Sequence, residues 1–177
     1  MEWLASFTDL VLHLDKHLVF FVQQYGDWVY ALLFAIIFVE TGIVVAPFLP
    51  GDSLLFVAGA LCVTEGMSLL LLMVLLVVAA ILGDALNYSI GHWFGDALIK
   101  RTRLISAEKL KYTEQFFEKH GPKTIVIARF LPIVRTMAPF VAGFGGMKPQ
   151  RFFFYNVTGG LLWVVSLTLA GYLFGNI

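Results

Sequence analysis

Glu40 and Asp52 sit at either side of an apolar stretch broken by Pro47, Pro50 and Gly51, and Arg129 and Arg135 bracket a second break at Pro132, followed by Pro139 and Gly143. An acid or base held in hydrocarbon costs about 2.5 to 3.5 kcal/mol on insertion scales, so such residues usually mark a pathway or a binding site. A guanidinium is always charged and presents a planar fork that matches phosphate oxygens, which makes Arg129 and Arg135 candidate ligands for a lipid phosphate. Desolvation and a nearby arginine act on a carboxylate in opposite directions, so Glu40 and Asp52 are suited to exchange protons or arginine partners. Glu40 ends an uninterrupted apolar arm and is the expected proton site, with Asp52 the arginine partner. The alternative is a static ion-pair network that ties two broken segments together. The prolines and glycines are expected to shape the breaks rather than to touch substrate.

The elements that must position these charges follow from run lengths. The 177 residues are 59% hydrophobic and 14% charged, against roughly 25% charged for an average soluble domain, which places the chain in lipid. Gly66 to Gly83 carries no charge, and the apolar character continues to Phe94, so a spanning helix is expected over about 67–94. Phe152 to Ile177 is a second uncharged run and predicts a span over about 152–175. Trp28 to Val39, Ser53 to Thr64 and Thr136 to Met147 are each 12 residues without a charge. At about 1.5 Å per residue they are too short for about 30 Å of hydrocarbon. They read as arms of re-entrant hairpins over about 28–62 and 124–148, a geometry tolerated only where protein or water covers the broken backbone. Residues 1–25, with Asp9, His13, Asp15, Lys16 and His17 among apolar neighbours, read as an amphipathic interfacial helix, and 26–177 as a single transmembrane domain. No cleaved signal peptide is expected, because a basic leader and a clear small-residue cleavage site are missing.

Charge sets the orientation. The segment 95–123 holds seven of the 12 basic residues against four acids and should face the cytoplasm, with Ser106 to His120 a polar surface helix capped by Ser106. The second hairpin starts at Lys123 and ends near Lys148 and Arg151, hence from the same side; the first, flanked by Asp27 and Glu65, enters from the other. Phe48-Leu49-Pro50 followed by Phe56-Val57-Ala58-Gly59 recurs as Phe130-Leu131-Pro132 followed by Phe140-Val141-Ala142-Gly143. Opposite insertion of related segments describes an inverted repeat whose tips meet near the midplane, the acids of the first facing the arginines of the second. On the spanning helix between them Asp84, Asn87 and Tyr88 share a face and are expected to make interhelical hydrogen bonds, with Asp84 lining the path as the sharper option. Asn156, Gly160 and Trp163 share a face of the last helix and suggest close helix contact.

Those residues carry a family resemblance. Glu40-Thr41-Gly42 with Pro47-Phe48-Leu49-Pro50-Gly51-Asp52-Ser53, and Arg129-Phe130-Leu131-Pro132 with Val134-Arg135-Thr136, Pro139 and Ala142-Gly143, resemble the two signatures of the DedA family, which is related to the VTT-domain lipid scramblases. Gly83-Asp84, Asn87-Tyr88 and Gly91 resemble the helix between them. The resemblance implies an all-α, multi-pass protein of the bacterial inner membrane with facing re-entrant hairpins. It further implies lipid movement between leaflets tied to the proton motive force, with undecaprenyl phosphate the leading substrate and phosphatidylethanolamine another. Its essential acids and arginines match Glu40, Asp52, Arg129 and Arg135. Family members continue into a further C-terminal span beyond the position where this sequence ends.

Three classes of function stand against one another. A flippase for a lipid phosphate is favoured by paired acids and arginines. A proton-coupled antiporter for small cations or drugs would use the same carboxylates, and a phosphatidylethanolamine flippase or scramblase is a lipid variant of the first. An intramembrane enzyme would need a nucleophile or metal set, and neither break carries a histidine or a Cys/His pair, so no catalytic residue, cofactor or metal is assigned. The single Cys62 excludes an intrachain disulfide, and a net charge of zero gives no reason to expect nucleic acid. Protons and a membrane lipid are the expected partners, and a homo-oligomer is compatible with the sequence.

Overall fold

The structure is a computed structural model that describes residues 20, 23–43, 51–101 and 107–175. Among them every regular element is helical: α1 (Trp28–Gly42), α2 (Gly51–Thr64), α3 (Leu69–Arg101), α4 (Ala107–His120), a 3₁₀ turn (Gly121–Lys123), α5 (Thr124–Ala128), α6 (Pro132–Phe144) and α7 (Pro149–Gly175). Most of the expected N-terminal helix, its His13 and His17, the tip prolines Pro47 and Pro50, and the expected cap Ser106 lie outside the described residues.

Among the described residues, two helices are long and apolar enough to cross a bilayer, Leu69–Gly95 and Pro149–Gly175, while α1 and α2 are apolar but too short. The helix α3 does not stop where its apolar run does. It continues through Asp96 to Arg101, beyond the expected end near residue 94, because Ala97, Leu98, Ile99 and Lys100 are all residue types compatible with helix. The second broken segment is uneven: α5 has five residues, a turn takes Arg129 and Phe130, and Leu131 is extended immediately before Pro132. Proline disfavours helix in the residue before it but suits the first helical position, which explains both the break and the start of α6. At the far end of α6 Gly146 takes φ 70°, the Met147 N–H donates to Ala142 O, and the Gly146 N–H donates to Gly143 O. This left-handed glycine closes the helix and turns the chain into α7.

Chain neighbours are not the main contacts. The arm α1 lies along α3 and barely meets α2; α2 runs along α7, α6 along α3, and the short α5 against α7, with α3 and α7 also touching. Glycines allow the two exchanged contacts. A Cβ at Gly59 would overlap Thr168 O and one at Gly171 would overlap Phe56 O, so α2 and α7 cross backbone to backbone. At the α3–α6 crossing the same holds for Gly91 against Phe140 O and Gly143 against Tyr88 O. The larger core unites Leu33 and Ile37 of α1, Leu55 and Ala58 of α2, Leu76 and Ala80 of α3 and Trp163 of α7. A second cluster joins Tyr88, Ile125, Val134, Ala138 and Phe152, and α4 lies over α6 through Leu110 and Phe117.

Candidate functional site

The end of α1, the start of α2 and the first turns of α6 converge on α7. Glu40 lies in the last turn of α1 and Asp52 in the first turn of α2, where a carboxylate also suits the helix dipole. Arg135, one turn into α6, reaches both: Nη2 is 2.6 Å from Glu40 Oε1 and Nη1 is 2.6 Å from Asp52 Oδ1. The three differ in access. The Arg135 side chain is 11% exposed, Glu40 is 1% and Asp52 is 49%, so the cluster has an open acid, a closed acid and a cation between them. The Gly51 N–H donates to Glu40 Oε1, and Glu40 Oε2 is buried with no hydrogen-bond partner among the described residues. Gly51 must be glycine for this geometry, because a Cβ there would overlap that same Oε2.

Arg129 belongs to a second, closed cluster. It is fully buried, and Nη2 donates at 2.6 Å to both Asp84 Oδ2 on α3 and Asn156 Oδ1 on α7. Nη2 also lies 3.4 Å from Ala80 O, and the Asn156 amide donates to Ile81 O, so Asn156 bridges the two spans. Arg129 Nε and Nη1 have no hydrogen-bond partner among the described residues. Trp163 touches both clusters. Its indole N–H donates to Asp52 Oδ1 at 2.8 Å, and the guanidinium carbons of Arg135 and Arg129 lie 5.0 and 5.7 Å from its ring centroid. Both distances are within the range of cation–π attraction.

The expectation that the acids of one tip face the arginines of the other therefore holds for Arg135, whereas Arg129 turns away to Asp84 and Asn156. Asn87 donates to Thr41 O at the end of α1 and to Thr136 O in α6, tying both arms to α3 as the shared face suggested. The Tyr88 hydroxyl donates to Met147 O and holds the α6–α7 turn. Pro132 starts α6, Pro139 lies within it with no N–H to offer Arg135 O, and Gly143 makes the α3 crossing. Asn156 and Trp163, read from the sequence as close helix contact, also complete the polar clusters. The signal was present in two polar-capable side chains on one face with Gly160 between them, where a Cβ would come within 3.3 Å of Ile81 on α3. Among the described residues no three metal-ligating side chains converge.

The profile of the VTT domain matches residues 49–173, which hold every residue of both clusters except Glu40. The protein DedA of Escherichia coli K12 is 54% identical over all of this chain and 83% of its own length. The chain belongs to the DedA family. Another DedA relative, the inner membrane protein YqjA of Escherichia coli K12, is 40% identical over 83% of this chain and 68% of its own. The membrane protein ML0287 of Mycobacterium leprae is 40% identical over 90% of this chain and 73% of its own. No solved structure matches the chain. With two helices able to cross a bilayer and this membership, the chain is a membrane protein of the DedA family.

Proposed function

We propose that the chain is a transporter of the bacterial inner membrane that moves a lipid phosphate, foremost undecaprenyl phosphate, between leaflets and couples that movement to protons. The observation that carries this reading is the Arg135 fork shared between a closed and an open carboxylate. A phosphate monoester offers the same planar acceptor pair, so it competes with Glu40 and Asp52 for Arg135. Displaced Asp52 keeps the Trp163 indole N–H. A proton on Glu40 removes the attraction that holds Arg135 to it, and the unpartnered Oε2 accepts that proton without breaking a hydrogen bond. Protonation then favours phosphate binding, and release of the lipid returns Arg135 to the carboxylate as the proton leaves. Arg129, held by Asp84 and Asn156, supplies a fixed positive charge beside the Trp163 ring.

Further support comes from the contact pattern. The pairs α1–α3 and α5–α7, and α2–α7 and α6–α3, exchange under one two-fold operation, as do the glycine crossings at Gly59/Gly171 and Gly143/Gly91. We read this as an inverted repeat in which α1–α2 and α5–α6 are re-entrant segments from opposite faces. Transport rather than catalysis is the reading, since the clusters contain acids, bases of fixed charge, an amide and an indole but no nucleophile beside a general base. The half-exposed Asp52 favours one competing function, a cation antiporter, and substrate charge separates the two.

The test is leaflet-to-leaflet movement of undecaprenyl phosphate in proteoliposomes under an imposed pH gradient, with folding of each variant confirmed. Wild type should move the lipid, folded Arg135→Ala should not, and Glu40→Gln should move it with a flattened pH dependence. Wild-type inactivity under both gradient directions, or an active Arg135→Ala, overturns the reading. Proton-driven movement of a small cation without lipid movement would install the antiporter in its place.

A further inference from the structure

On α3, Gly83, Asn87 and Gly91 follow one another at successive helical turns and share a face. Gly83 receives α1: a Cβ there would overlap Thr41 Oγ1 and stand 2.8 Å from Phe38 O. Gly91 receives α6, where a Cβ would overlap Phe140 O. Asn87 lies between the two contacts, fully buried, and its one amide nitrogen donates at 3.3 Å to Thr41 O and at 3.0 Å to Thr136 O. Those carbonyls belong to the residues that follow Glu40 and Arg135 in the chain. The arms α1 and α6 scarcely touch each other, and α3 is the helix both lie along.

We propose that Asn87 is the positioning residue of the Glu40–Arg135 pair, its amide setting the register of both arms on α3 so that the guanidinium meets the closed carboxylate. A primary amide carries two donors on one planar nitrogen. With each donor taken by a different arm, neither arm slides or turns on α3 without breaking a buried hydrogen bond. The Thr41 carbonyl lies in the last turn of α1, where the helix runs out of its own N–H donors, so the amide also closes that arm. Both bonds run to backbone, and they hold the points from which Glu40 and Arg135 reach their 2.6 Å contact. Asp52 is held differently: α2 lies along α7, and Asp52 accepts its hydrogen bond from Trp163 of that helix. The two carboxylates of Arg135 thus answer to different spans, Glu40 to α3 and Asp52 to α7.

The other glycine crossing shows that the fold does not need this amide. Gly171 of α7 meets α2 as Gly91 of α3 meets α6, and the residue one turn before Gly171 is Leu167, which packs against the apolar core. Leucine thus fills on α7 the place that asparagine fills on α3. Asn87 moreover keeps its Oδ1 buried with no hydrogen-bond partner among the described residues, a penalty that leucine does not carry. An amide retained against that penalty, with its donors on the neighbours of Glu40 and Arg135, serves the pair. The transport proposed above enters only in what the pair does to the lipid; the positioning is independent of it.

The test is water exchange of the arginine guanidinium protons, read by NMR on the full chain labelled with 15N-arginine in nanodiscs, with Arg129 and Arg135 assigned from their lysine variants. Asn87→Leu should unfold near the wild-type temperature while exchange at Arg135 quickens several-fold and exchange at Arg129, paired with Asp84, stays as it was. Glu40→Gln alone should also quicken Arg135 and should add little on top of Asn87→Leu, because both act on one contact. In proteoliposomes Asn87→Leu should flatten the pH dependence of lipid movement as Glu40→Gln does, the other charges near Arg135, which are Asp52, Asp84 and Arg129, being unchanged. Unchanged Arg135 exchange in folded Asn87→Leu means that the pair holds without the amide, and equal quickening at Arg129 means that the amide holds the fold at large; either overturns the proposal. Should Asn87→Leu not fold, Asn87→Ser, which reaches at most one of the two carbonyls, carries the same comparison, and failure of both to fold assigns the amide to the scaffold and overturns it too. A wild type whose Arg135 exchange depends on Asn87 but which moves no lipid phosphate removes the proposed transport and leaves the positioning standing.

Discussion

Trp163 serves two cations and an acid at once, and its parts are separable by substitution. Trp163→Phe keeps an aromatic face for Arg135 but deletes the hydrogen bond to Asp52. A double-mutant cycle with Asp52→Asn, read in lipid transport, should show a coupling of about 0.5 to 1.5 kcal/mol, at the low end for a charged hydrogen bond because Asp52 is half exposed. Independent, additive effects would mean that the indole N–H is incidental. The Arg129–Asp84 pair differs, being almost wholly buried. Asp84→Ala should lower stability by about 3 to 5 kcal/mol in thermal or denaturant unfolding, because it strands a cation inside the protein. Asp84→Leu with Arg129→Met should recover most of that loss, and the recovered protein should still transport poorly if Arg129 supplies needed charge. Full activity in that stable pair would assign Arg129 to scaffolding. At this scale the sequence was legible where a formal charge interrupts an apolar run, as for Glu40, Asp52 and Arg135. It was opaque for Asn156 and Trp163, because a neutral amide or indole in an apolar helix carries no mark of whether it meets a charge. Nor could it pair Arg129 with an acid 45 residues away.

The helices are positioned by absence of side chains as much as by their presence. At both exchanged crossings glycine lets backbone meet backbone, so Gly91→Ala and Gly171→Ala should each destabilise by at least about 1 to 3 kcal/mol, the range for overfilled contacts, measured as loss of unfolding temperature in detergent. Gly51→Ala makes a different case. Its clash is with the movable tip of Glu40, so the protein should fold while the carboxylate is pushed off Arg135, visible as altered pH dependence of transport with little change in unfolding temperature. An unchanged pH profile would show that the carboxylate finds its place regardless. Uncharged run lengths did foretell which helices are long and apolar enough to cross a bilayer and which are too short. The brevity of α5 and the continuation of α3 to Arg101 were not foretold, since a helix ends where backbone geometry forbids it, at Leu131 before Pro132, and not where hydropathy changes.

For the whole molecule, composition disclosed a membrane protein, while the motifs disclosed its family. They could not disclose that each second arm packs on the opposite half of the chain, because repeat spacing says which segments are alike and nothing about which ones touch. That exchange of partners has a consequence for how the protein is made. During synthesis α2 emerges about a hundred residues before α7, the helix it packs along, and Asp52 waits 111 residues for Trp163. Until then its acid and its glycine-lined face have no intramolecular cover, and loop closure over such a distance is slow. A chain ended before Pro149 should accordingly be inserted yet remain open to protease within 51–64, whereas the full chain resists. The newborn first half is thus a client for whatever shields incomplete membrane proteins, and its survival depends on the arrival of α7.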